Sequence, residues 1–300
     1  MRISLRTKRI IAVCAAVPLA LGAAACSSGD AEHPSSSSAS AATPIDAAAL
    51  HAQLPERVRT SGTLIVSTSA PFPPLEFVEN GKLVGFDIDV VTAIAQTLGV
   101  KADIRQVPFP QLIASVQDGR SDLAARGLFD TKQREEQVDL VSYFSAGTQW
   151  TAQSAKDVDP DSACGLKVGA EVDTTQLTLE LPAKSTACEA VGEEKIDIVT
   201  FDSETTAMEA LTRGEVDAVS ADSPVALYAV KQSDGKLKTV DHAFDTQPYS
   251  FPVAKDSPLG PVLKQVVQHL IDTGEIDTIA DRWGLTSGLI QTSVINAAID

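Results

Sequence analysis

Hydrophobic and polar positions along this chain fall into blocks that predict short buried strands separated by amphipathic helices. Leu64–Ser67, Ala102–Val107 and Asp122–Ala125 read as strands. Between the first two, Ile88, Val91, Ile94, Ala95 and Leu98 share one face of a helix over 87–98, with Asp87 suited to its N-cap. A second helix over 110–118 would bury Leu112, Ile113 and Val116, and 131–138 reads as a polar helix, charged at its start. The pattern then restarts. Strands at 167–171, 197–201 and 216–220 alternate with a helix opening at Asp173 and with helices over 204–213 and 224–231. Strand patterns at 238–240 and 248–254 follow, and then helices over 258–273 and 276–282. Repeated βαβ alternation predicts an α/β protein of mostly parallel sheet flanked by helices. Crossings near 147–152 and 244–250 divide it into two lobes joined by a two-strand hinge. A ligand cleft is then expected at the carboxyl ends of the strands, where helices begin.

The amino terminus changes the picture from a domain to an exported one. Arg2, Arg6, Lys8 and Arg9 precede an apolar run from Ile10 to Ala25, and Cys26 follows three alanines. Charged, apolar and small-residue regions in that order make a secretory signal. The run of 16 residues is shorter than the roughly 20 needed to span a bilayer. A cysteine directly after small residues resembles a lipoprotein signal, which implies lipid on Cys26 and a new first residue there. Ala23 stands where leucine is more usual, so plain secretion and an uncleaved anchor are the alternatives. Residues 27–43 are almost all Ser, Ala, Gly and small polar groups, a composition that behaves as a flexible tether. Of the four cysteines, Cys14 lies in the signal, leaving Cys164 and Cys188 as an even pair in an oxidising compartment. A disulfide is the economical reading, two buried thiols the alternative. The four histidines are scattered, and no metal site is expected.

Without the four leader cations the chain carries 20 Lys and Arg against 40 Asp and Glu. That is the reverse of a nucleic-acid footprint and speaks mainly of solubility. Hydrolase elbows, phosphate-binding Gly-rich loops and His-Glu-x-x-His are absent, so neither catalysis nor a cofactor is expected.

Several segments together, in order, carry a resemblance. They are Ser69-Ala70-Pro71-Phe72, Gly85-Phe86-Asp87-Ile88-Asp89, Thr131-Lys132-Gln133-Arg134, Asp173-Thr174-Thr175-Gln176, the 216–222 strand and Trp283-Gly284-Leu285. Over residues 57 to about 286 the chain resembles the family 3 bacterial solute-binding proteins, the receptors of polar amino-acid ABC importers. The resemblance implies a two-lobed, type II periplasmic-binding-protein fold. Residues 57–148 and 246–288 would form lobe one and 149–245 lobe two, after a signal over 1–25 and a lipidated linker over 26–56, with a tail over 289–300. It implies a monomeric receptor, tethered by lipid to the outer face of the cytoplasmic membrane and serving an ABC permease. Presentation of a ligand to a sensor kinase, or a dehydratase on the same fold, are the other readings.

The resemblance also assigns the site. Arg134, three residues after Thr131, would grip an α-carboxylate with its planar fork, and Asp222 would hold the α-ammonium. Thr174 would offer its hydroxyl to the carboxylate, Phe72 and Phe109 would sandwich the ligand's side chain, and Gly127 would offer its N–H. Asp217, on the same strand as Asp222, is read as a structural partner. Two departures from the family pattern stand out. Ser69 replaces an acidic residue that meets cationic side chains, and Phe129 replaces a hydroxyl of the carboxylate clamp. Both make a basic ligand less expected than an apolar, uncharged or modified one.

Overall fold

A computed structural model describes residues 45–299; the expected signal, Cys26 and the residues to 44 lie outside them. The chain begins with helices α1 (Ala47–Gln53) and α2 (Glu56–Ser61), then strands β1 (Thr63–Thr68), β2 (Phe77–Glu79) and β3 (Lys82–Val84). Helix α3 (Phe86–Thr97), β4 (Lys101–Gln106), α4 (Leu112–Gln117), β5 (Leu123–Ala124) and α5 (Lys132–Glu135) follow. Strand β6 (Val138–Gln153) leads to β7 (Lys167–Glu171), α6 (Leu181–Ala190), β8 (Asp197–Phe201), α7 (Glu204–Arg213), β9 (Ala218–Asp222) and α8 (Ser223–Gln232). Strand β10 (Leu237–Ala254) and helices α9 (Leu259–Asp272) and α10 (Glu275–Trp283) complete the set.

Eight strands form one sheet in the order β4-β1-β5-β10-β6-β9-β7-β8. The first-lobe half is β4-β1-β5 in parallel, followed by the distal part of β10 and the start of β6. The second-lobe half is β8-β7-β9 in parallel, followed by the end of β6 and the start of β10. Each lobe thus has the same strand order, with β6 and β10 exchanging places. Register shifts between Val240 and Phe244, Phe244 and Gln247, and Tyr249 and Ser250 break the β6–β10 ladder where it passes between the lobes. Bulges there bend and twist the strands.

Strand β6 is buried on both faces, so it lacks the alternation that marks a strand. That is why the polar helix expected to reach Val138 stops at Glu135. Helix α3 also begins differently. Gly85 is its N-cap, with φ +138° and no room for a side chain: a Cβ there would lie 2.0 Å from the Leu75 carbonyl oxygen. Asp87 is therefore inside the helix and fully buried rather than capping it.

The body also extends past the expected boundaries at both ends. Residues assigned to the linker form α1, whose Leu50 joins Leu54 in the first-lobe core while His51 Nδ1 lies 3.0 Å from the Leu98 carbonyl. The tail packs along the outer edge of β6. Ile295 bridges to Val141, the Ser142 N–H donates to the Val294 carbonyl and the Asn296 N–H to that of Leu140. It thereby covers an edge strand that would otherwise present open backbone groups. In the second lobe Cys164 and Cys188 are joined, with Cα atoms 5.5 Å apart.

Candidate ligand-binding cleft

The candidate residues lie at the carboxyl ends of the parallel strands and on the turns after them, where the two lobes face each other. Ser69 follows β1, Arg126 and Gly127 follow β5, Glu171 ends β7 and Asp222 ends β9. Backbone N–H groups and helix starts collect at such ends.

Arg134 lies in the first turn of α5, capped by Thr131, whose hydroxyl accepts the Arg134 N–H. Its Nη1 donates to the Phe129 carbonyl at 2.9 Å and its Nη2 to the Asp173 carbonyl, on the opposite lobe, at 3.3 Å. Burial lowers its pKa, with the Asp222 charge opposing. Phe109, Arg134, Asp173 and Thr175 line one cavity of about 320 Å³.

Asp222 is buried opposite. The Tyr249 hydroxyl donates to Oδ2 at 2.5 Å and Gln176 Nε2 donates to Oδ1 at 2.7 Å. It makes no side-chain cap to α8. Burial pushes its pKa up to about 6, against the pull of Tyr249, Arg126 and Gln176. A carboxylate has about four lone-pair positions, so two protein donors leave room for a ligand ammonium. Asp217, by contrast, faces Lys156 Nζ at 2.6 Å and the Lys167 N–H at 3.0 Å.

Phe72 and Phe109 do face one space, but that space is filled by Arg126. Its guanidinium carbon lies 3.5 Å from the Phe72 ring centroid and 4.1 Å from that of Phe109. Nη2 donates to Glu171 Oε2, from the other lobe, at 2.6 Å, and Nε lies 3.7 Å from Glu76 Oε1. The side chains of Arg126, Glu171 and Glu76 are at most 2% exposed. Burial works against the Arg126 charge, yet Glu171, Glu76 and Asp222 outweigh it and raise its pKa. Glu76, with no hydrogen-bond partner on either oxygen among the described residues, is raised well above the usual carboxylate range by burial and then by Asp87. Glu204 is raised likewise, by burial and then by Glu171. Removing one member of a buried ion pair commonly costs about 3–5 kcal/mol, because the other charge is left uncompensated.

Three of the sequence assignments take a different form. The Gly127 N–H is given to Asp87 Oδ2 at 2.9 Å rather than to the cleft, and Asp87 also accepts from the Tyr143 hydroxyl at 2.8 Å. With φ +36° and Phe72, Leu75 and Tyr249 crowding its missing Cβ, Gly127 instead serves close packing behind the site. The Thr174 hydroxyl donates to the Glu171 carbonyl at 2.7 Å and accepts the Leu177 N–H at 3.3 Å, a local capping role. The Phe129 ring packs on Tyr249, centroids 5.0 Å apart, inside the first-lobe core. Its bulk is absorbed there instead of narrowing the pocket. Ser69 does lie at the cleft mouth, beside Ala70, Pro71, Phe109, Glu171 and Asp202, around a cavity of about 490 Å³.

Arg126, Glu76, Glu171, Tyr249 and Gln176 were not singled out from sequence. A lone arginine between Ala125 and Gly127 at the end of an apolar strand was a visible anomaly. The carboxylates that surround it come from distant segments.

Known proteins align with this architecture over most of its length. The family model of the bacterial extracellular solute-binding proteins, family 3, matches residues 64–286. The chain is 32% identical over 250 residues to the arginine-binding protein ArgT of Corynebacterium glutamicum, covering 82% of each. It is 35% identical, at a TM-score of 0.67, to an ancestral arginine-binding protein solved with arginine, covering 74% of this chain and 98% of that one. It is likewise 35% identical, at a TM-score of 0.66, to an ancestral arginine-binding protein solved with glutamine, covering 75% and 98%.

Proposed function

Because the chain belongs to the family 3 bacterial extracellular solute-binding proteins, we propose that it is the receptor of an ABC importer, binding a small amino-acid-like solute between its lobes. The observation that carries this is that Arg134 and Asp222 come together from opposite lobes: Arg134 reaches the Asp173 carbonyl of the second lobe and feels the Asp222 charge, while Asp222 accepts from Tyr249 of the first. A planar cation suits an α-carboxylate and a buried carboxylate suits an α-ammonium, so one zwitterion would be gripped by both lobes. Contacts made to both lobes only in the closed form are what would let ligand shift the hinge equilibrium. Relatives named for arginine binding support an amino-acid ligand.

In this reading the groups at the cleft bind rather than catalyse. Ser69, Phe72 and Phe109 lie on the side-chain end and Thr174 shapes the second-lobe turn. Residues 57–148 with 246–288 act as one moving body and 149–245 as the other. The receptor works as a monomer, delivers its solute to a permease, and is held at the outer face of the membrane by lipid on Cys26 and the linker after it. No helix among the described residues is long and apolar enough to cross a membrane.

The test is thermal shift and calorimetry on residues 44–300, unfolded and refolded to strip carried ligand, against all common amino acids, their deaminated and decarboxylated analogues, small peptides and sugars. Binding of an amino-acid subset that is lost on deamination is expected. Binding of a sugar or peptide with silence across the amino acids would overturn the reading.

A further inference from the structure

Arg126 is the buried cation that a zwitterion grip does not use, and its surroundings are those of a bound ligand. Its guanidinium lies between two aromatic faces, Phe72 and Phe109, the arrangement that the ring quadrupole favours for a cation. Its charge partners come from both lobes: Glu76 from the first and Glu171 from the second. The backbone beneath it is held by the Gly127 N–H on Asp87, itself tied to Tyr143, so the side chain is aimed into the cleft by a rigid base. The fit is nevertheless incomplete. Nε makes no hydrogen bond, and neither Glu76 oxygen has a partner among the described residues. A side chain tethered at β5 satisfies Glu171 and leaves Glu76 unmet, whereas a guanidinium arriving freely between the rings could orient its fork to both.

We propose that Arg126 is an internal occupant of a cation box formed by Phe72, Phe109, Glu76 and Glu171, and that it bars cationic side chains from the ligand. The inference rests on the amino-acid receptor reading and narrows it: the ligand carries an uncharged or acidic side chain. A guanidinium or ammonium brought to this box meets a like charge already stacked there, and expelling Arg126 would strip Glu171 of its cross-lobe partner. An uncharged or acidic side chain meets no such repulsion. An uncharged one has room beside Phe109 and Glu171, where the mouth cavity of about 490 Å³ opens, whereas an acidic one must turn toward Arg126 and away from Glu171 and Asp202.

The experiment is calorimetry of ligand-stripped wild type, R126A and the double variant R126A/E76Q with L-arginine, L-glutamine and L-glutamate. The double variant leaves fewer stranded charges should R126A fold poorly. Wild type is expected to bind L-glutamine or L-glutamate at least about tenfold more tightly than L-arginine, and each folded variant to gain at least about tenfold for L-arginine. Methylguanidinium at millimolar concentration should raise the melting temperature of the variants and not of wild type. Wild type binding L-arginine more tightly than the other two overturns the proposal without recourse to any variant, as does a folded R126A with no gain for L-arginine. Failure of the receptor reading appears separately, as wild type binding no member of a full amino-acid panel.

Discussion

Replacing Tyr249 with phenylalanine should move the pH at which the cleft accepts an ammonium. The Tyr249 hydroxyl, on the first-lobe part of β10, donates to Asp222 Oδ2 at 2.5 Å, with both residues buried. Burial holds Asp222 up at about 6, and this hydrogen bond is the foremost influence pulling it down. A hydrogen bond to a charged group is worth about 1.5–3 kcal/mol, and one pKa unit is about 1.4 kcal/mol, so the variant carboxyl should titrate at about 7–8. An ammonium ligand needs the ionised form. Its affinity for wild type should be nearly flat above pH 7 and fall by about tenfold per unit well below pH 6. Tyr249→Phe should lose roughly two- to tenfold at pH 7 and recover by about pH 8.5. Folding stability runs the other way. A carboxyl whose folded pKa lies above its unfolded value holds more protons when folded, so its stabilising contribution is present below about pH 4 and lost as pH rises to about 6. In the variant that loss should continue to about pH 8. Calorimetry from pH 5 to 8.5 with a ligand identified by the panel, beside melting curves in the same buffers, reads both. The same midpoint in the two proteins, or an affinity loss independent of pH, would refute the assignment of Asp222 and its coupling to Tyr249.

Arg134→Ala should weaken binding of carboxylate-bearing ligands by about thirty- to a hundredfold while melting within a few degrees of wild type, since a charge-assisted pair is worth about 2–3 kcal/mol and its present partners are backbone carbonyls; an unchanged affinity removes it from the site. Replacing Cys164 and Cys188 together with serine should cost about 3 kcal/mol for a sequence separation of 24, read by urea titration, and leave ligand affinity within about twofold; an unchanged midpoint would mean the bond does not constrain the unfolded chain. Ending the chain at Gly288 should destabilise it by roughly 3–5 kcal/mol, because the two backbone hydrogen bonds to β6 and those made through the Asn296, Ser293 and Ser142 side chains are lost at about 1 kcal/mol each. The uncovered edge should also promote association on gel filtration, and a monomer of unchanged stability would show that the tail merely lies there.

Local periodicity was sufficient where one face of an element is buried. Helix α7 was read with its observed ends, and the expected apolar face of α3 is buried. It failed where burial is two-sided or the cap is unusual. Strand β6, buried on both faces, gives no alternation to read, and Asp87 resembles a cap until the fold places it beneath Gly127 and Tyr143. At the cleft, Phe72, Phe109, Arg134 and Asp222 could be named from motif position because strand ends carry them there. What each one touches could not, since most of their partners, such as Asp173 for Arg134 and Tyr249 for Asp222, lie tens of residues away.

The sequence by itself determined the α/β class, the two lobes with their paired crossings, and which side chains to examine for a ligand. Those follow from periods of 2 and 3.6 and from side-chain chemistry, which are local properties. Only the tertiary structure decided that Gly127 spends its N–H on Asp87, that the Phe129 ring turns into the core, and that the space between Phe72 and Phe109 is held by the chain's own Arg126. Each depends on which distant group reaches a buried position, and burial is what makes an unpaired partner costly enough to settle the outcome.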